Sequence, residues 1–147
     1  MWDSLKPEFF ARLPRTPMNG AANGMHTGPA TAPPRNDWES CYAKLEDYRS
    51  YTDDWDGQGA ILGSPAKAIG RELIDSAVAL MRLLQNRSVH APDWTLPGVQ
   101  GTVGFEWDQP CGGSISIEVL DPETFEVFIR SPENEVEHLV ITEAVNA

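Results

Sequence analysis

The feature that most constrains this chain is a change of hydrophobic period near Pro92. Up to Asn86 the apolar residues recur every three or four positions, the spacing of one helix face; beyond Pro92 they alternate, the spacing of one strand face. Trp38, Cys41/Tyr42, Leu45 and Tyr48 predict an amphipathic helix over 38–50, with Asp37 as its N-cap. Ile69, Leu73, Ala77, Leu80/Met81 and Leu84 predict a longer helix from the Ser64-Pro65 start to about Asn86. Downstream, Val103/Phe105/Trp107, Ile115/Ile117/Val119, Phe125/Val127/Ile129 and the run Val136 to Ile141 predict four strands. The turns between them are Gln109-Pro110-Cys111-Gly112-Gly113, Asp121-Pro122-Glu123 and Ser131-Pro132-Glu133-Asn134. Helices first and strands after define an α+β class: two helices packed on one face of a four-stranded antiparallel meander.

Residues 37–147 suffice for one such domain, and 147 residues leave no room for a second core. Residues 1–36 read as a flexible tail, because Thr16 to Asn36 is small, polar and aperiodic. The tail's start is different in kind. Trp2, Leu5, Phe9, Phe10 and Leu13 concentrate large apolar groups there, and Pro7 is a suitable first residue for a short helix through Arg12. Such a segment either folds back onto the domain or serves as a docking motif, with Trp2, Leu5, Phe9 and Phe10 as anchors in a partner's groove.

Charge narrows the partners. The net charge is −11, and residues 88–147 hold eleven acids against Arg130 alone. That half of the chain repels free nucleic acid and anionic membranes, leaving a protein partner of basic character or a charge that serves solubility alone. If the apolar positions of the strands face inward, Glu106, Ser116 and Glu118 face outward, joined by Glu126, Phe128 and Arg130. Glu106, Glu118, Glu126 and Phe128 are therefore candidate partner-binding residues, on a face that also suits a mimic of nucleic acid or a merely solvated surface. No apolar run is long enough to span a bilayer, and Met1 to Pro7 lacks a secretory signal, so the expectation is a cytoplasmic protein.

No catalytic constellation stands out. His26, His90 and His138 lie in the tail, a loop and a strand, none beside a nucleophile, and Cys41 and Cys111 fall short of a zinc site or a disulfide framework. The chain reads as a non-enzyme with no cofactor. The loop Asp53-Asp54-Trp55-Asp56-Gly57-Gln58-Gly59-Ala60 is the densest local signal. Counted as a calcium loop, Asp54, Asp56 and Gln58 take the first, third and fifth positions and Gly59 the sixth, which makes a divalent-cation module an alternative reading. The twelfth position, where a bidentate glutamate belongs, is Pro65. The competing reading is structural: Gly57 and Gly59 supply unusual backbone angles, Asp56 bonds its own loop and Trp55 plugs the core.

The segment Trp55-Asp56-Gly57-Gln58-Gly59-Ala60, the helix signal Ser64-Pro65, then Pro97 and Gly101-Thr102-Val103-Gly104-Phe105-Glu106-Trp107, resembles a group of small uncharacterised bacterial and phage proteins. These share a W-D-G-x-G-A loop, one long helix, and a glycine followed by a strand ending in Glu-Trp before a short meander. The likeness covers about residues 45–130 and leaves out the N-terminal tail, which is longer here than the group usually carries. It implies a product of bacterial mobile elements acting as a regulator or inhibitor. No residue is expected to ligate a metal.

Overall fold

Asp37 accepts the Ser40 amide at 2.6 Å, closing the first turn of a helix that runs from Trp38 to Tyr48 and buries Cys41, Leu45 and Tyr48. The computed structural model describes residues 2, 5, 7–15, 37–110 and 112–142. In chain order the elements are α1 (Pro7–Ala11), α2 (Trp38–Tyr48), α3 (Gly59–Leu62), α4 (Arg71–Asn86), β1 (Trp94–Pro97), β2 (Val103–Asp108), β3 (Ser114–Asp121), β4 (Thr124–Arg130) and β5 (Val136–Thr142). The sheet is antiparallel throughout, in the order β1-β2-β3-β4-β5. The α+β class stands, but the meander has five strands rather than four.

The extra strand, β1, inverts the usual pattern. Its buried residue is Thr95, opposite Phe105, whereas Trp94 and Leu96 face solvent. Thr95 is tolerated inside because its carbonyl accepts the Tyr48 hydroxyl at 2.8 Å and its own hydroxyl reaches the Cys41 sulfur at 3.5 Å. The long helix also starts later than Ser64-Pro65 predicts. It begins at Arg71 behind an extended Gly70 cap, and Ala66 and Ile69 are buried from an extended connector instead of from a helix face. The Ala66 and Lys67 carbonyls and the Lys67 and Ala68 amides are hydrogen-bonded to two flanking loops, which takes them away from a helix.

One face of the sheet is covered. Val103, Phe105, Trp107, Ile117, Val119, Phe125 and Val127 pack inward against Leu73, Ile74, Ala77, Leu80, Met81 and Leu84 of α4 and Leu45 of α2. The N-terminal segment completes this cover: at Trp2, Leu5 and residues 7–15 the chain folds back onto the domain, the first of the two readings, and the docking reading of Trp2, Phe9 and Phe10 is corrected. Trp2 and Phe10 are 1% exposed and Phe9 9%. The Trp2 indole donates to the Ser76 carbonyl at 3.2 Å and meets Phe125 edge-on at 4.9 Å between ring centres. Ser76 in turn donates to the Pro122 carbonyl at the β3–β4 turn. Farther along, His90 donates its amide to the Pro14 carbonyl, and Arg87 lies over the Phe10 ring. Trp2, Phe9 and Phe10 are core residues and cannot anchor a partner from this position. The expected flexible stretch from Thr16 to Asn36 lies outside the described residues.

Removing the Trp2 ring leaves a core void and deletes the indole hydrogen bond to the Ser76 carbonyl. Trp2→Ala is expected to cost about 3–5 kcal/mol in urea unfolding, the scale of large aromatic truncations. A loss below about 1 kcal/mol would place this segment outside the folding core.

Candidate functional site

Three surfaces carry the residues singled out by the sequence. The first is the Asp53–Gly59 loop. Asp54 holds the left-handed backbone region (φ 62°) and its carboxylate accepts the Gly59 amide at 2.8 Å, while Asp56 accepts the Gln58 amide at 3.1 Å. Gly59 has no room for a side chain: a Cβ there would lie 2.8 Å from the Asp54 carboxylate and 3.1 Å from the Pro65 backbone. Gly57 takes φ +69°. The carboxylates thus serve the loop's own amides.

The loop acts as a clamp on the connector. Asp54 donates its amide to the Ala66 carbonyl, the Trp55 indole donates to the Lys67 carbonyl at 2.9 Å, and Asp53 accepts the Ala68 amide at 2.9 Å. From the other side, the Lys67 amide donates to the Val99 carbonyl at 2.8 Å, and Gly101, at φ +84°, sits so close that a Cβ would approach the Ala68 carbonyl to 3.0 Å. The W-D-G-x-G-A segment and the Gly101 turn are therefore two jaws on one strip of backbone. Trp55 is half-buried and tilted against Tyr51 at 5.1 Å, which corrects the expectation that it plugs the core. Trp107 is the buried one, donating to the His90 carbonyl.

The second surface is the sheet face away from the helices. The register sets Trp94, Glu106, Ser116, Phe128 and His138 in one row, and Leu96, Gly104, Glu118, Glu126 and Val140 in the next. Glu106, Glu118, Glu126 and Phe128 do share a face, as alternation predicts. Glu118 and Glu126 stand directly opposite each other, an arrangement that repels. Local partners soften it: Thr102 donates to Glu118 at 2.6 Å and His138 lies 3.5 Å from Glu126. Partial burial, together with neighbouring Asp108, pushes the Glu106 carboxyl above its usual range. Phe128 is not bare; the His138 ring stacks on it at 4.5 Å and 8°. Sequence reasoning missed the shoulders of this face. Trp94 and Leu96 on β1 are 48% and 53% exposed, and Val136 and Val140 on β5 are 61% and 56% exposed. Their alternation alone reads as inward-facing, because period 2 names two faces without saying which is buried.

The third surface is a groove of about 440 Å³ between α1 and the covered side of β4 and β5. Leu5, Phe9 and Leu13 form one wall, and Ile129, Leu139 and Ile141 the other. Arg12 spans the rim to Glu137 with two hydrogen bonds of 2.6 and 2.8 Å. Of the N-terminal candidates, Leu5 and the edge of the largely buried Phe9 line this groove, whereas Trp2 and Phe10 do not.

Elsewhere, the buried Cys41 thiol is pushed up to about 11 by desolvation. It has the character of a packing residue. Cys111 and His26 lie outside the described residues. Among the described residues, no helix is long and apolar enough to cross a membrane, and no three His, Cys, Asp or Glu side chains form a metal-holding group. Comparison with known proteins finds no matching family, no matching curated protein and no matching solved structure.

Two outcomes follow from this geometry. Trp55→Ala loses one hydrogen bond and one ring contact, so about 1–2 kcal/mol of stability is expected in denaturant unfolding, well below the cost at Trp2. In a Cys111→Ser background, iodoacetamide at pH 8 should leave Cys41 essentially unlabelled in folded protein and alkylate it readily in urea. Labelling at the rate of a free thiol without denaturant would contradict its burial.

Proposed function

We propose that the chain is a non-enzymatic, acidic protein-interaction module whose sheet face turned away from the described helices binds a basic partner protein. The observation that supports this is the make-up of that face: Glu106, Glu118 and Glu126 lie at its centre, between exposed Trp94 and Leu96 on one side and exposed Val136 and Val140 on the other. Exposed apolar groups on two shoulders of a charged centre offer both desolvation energy and charge complementarity to a partner. The excess of acid over base in residues 88–147 selects a basic one. The resemblance to small bacterial and phage proteins suits a regulator or inhibitor in a mobile-element setting. In the loop, by contrast, Asp54 and Asp56 are already engaged by loop amides, which weakens the cation-binding alternative.

The test is capture of a partner from the source cells with the intact protein as bait. The triple variant Glu106→Gln/Glu118→Gln/Glu126→Gln should lose that partner, as should the wild type at about 0.5 M salt, where the screening length falls to a few ångströms. A partner retained equally under both conditions would refute the acidic face as its binding surface.

A further inference from the structure

The two edges of the sheet are finished differently. β1 has four residues, ends on Pro97 and runs straight into the Gly98–Gly101 turn. A short edge closed by proline is a poor template for another strand. β5 has seven residues and no proline, and pairs with β4 at every position without a register shift. It is the last strand of the sheet among the described residues, and all of it except Ile141 is exposed. Among the described residues no strand pairs with its outer edge, which presents a seven-residue row of backbone donors and acceptors.

Side chains at this edge favour one kind of occupant. On the covered side, Leu139 and Ile141 open onto the groove beneath α1, whose lining is mostly apolar. On the outer side, Val140 pairs with Glu126, His138 lies 3.5 Å from that carboxylate and Val136 pairs with Arg130; Glu133 and Glu135 precede the strand, and Glu137 stands on the covered side, paired with Arg12. Two copies of this chain meeting here would bring together two bodies of net charge −11. A basic segment meets no such repulsion.

We propose that β5 accepts an extended segment of a basic partner protein as a sixth strand, with apolar side chains seated in the groove and alternate Lys or Arg side chains toward Glu126 on the outer face. Backbone pairing would supply affinity and the groove specificity, as in other strand-addition complexes. This rests on the reading above that the partner is basic, and adds where and in what conformation it binds.

The probe is a capped nine-residue peptide alternating lysine and valine, titrated into the full-length, isotope-labelled protein. Two further peptides carry N-methyl groups on all lysine amides or on all valine amides. In a strand, one of these alternate sets faces β5 and the other faces solvent. Strand addition predicts that one methylated peptide binds at least about tenfold more weakly while the other binds like the parent, and that β5 amides gain hydrogen-exchange protection. Leu139→Ala, a change at a side chain 36% exposed, should weaken the parent peptide with little change in melting temperature. Equal binding by all three peptides, or shifts confined to Trp94, Glu106 and Glu118, would overturn strand addition and leave the acidic face intact. Equal binding of a glutamate-for-lysine peptide would instead remove the basic partner itself. β5 amides already protected in a sedimenting dimer without peptide would assign the edge to a second copy and overturn the proposal.

Discussion

Everything in this fold depends on covering one face of a five-stranded sheet. Five strands at a spacing of ~4.8 Å are wider than the ~20 Å that two packed helices can shield. α2 lies toward β1 and α4 over β3, so the β4–β5 side needs a third cover. The N-terminal segment supplies it, with Trp2 and Phe9 against Phe125. Aromatic rings suit the task because they bury much area per residue at little cost in side-chain freedom.

The cover is incomplete, and that shortfall creates the groove. α1 has five residues, roughly 7.5 Å of helix at the standard rise, against a seven-residue β5. Leu139 and Ile141 therefore remain open beside it, under the Arg12–Glu137 pair. The same geometry leaves the opposite sheet face without a helix among the described residues, so its carboxylates and its apolar shoulders share one face. The features that support a binding role are thus what this sheet and these helices leave uncovered.

The clamp around residues 66–68 shows how a dense polar motif can be wholly structural. Acids, glycines and a tryptophan in one loop look like a site, yet the hydrogen bonds of Asp53, Asp54 and Trp55 run to Ala68, Gly59 and Lys67. Because the connector is held extended, α4 must start at Arg71, and the strong Ser64-Pro65 signal is overridden. Local preference yields here to several backbone hydrogen bonds made at once.

Periodicity was enough to read the class of fold, the position of α2, the end of α4, and four of the strands, three of them with their inward residues, since burial on one side leaves a repeat of 3.6 or 2 in the chain itself. It also placed Glu106, Glu118, Glu126 and Phe128 on a common face. It did not reveal β1, whose apolar residues point to solvent, nor the depth of Trp2, Phe9 and Phe10, whose burial is made by Ser76 and Phe125 far along the chain. Nor did it distinguish half-buried Trp55 from buried Trp107. A sequence records which residues share a face. Only the tertiary structure decides what that face meets, because burial belongs to pairs of surfaces and the second surface is distant in the chain.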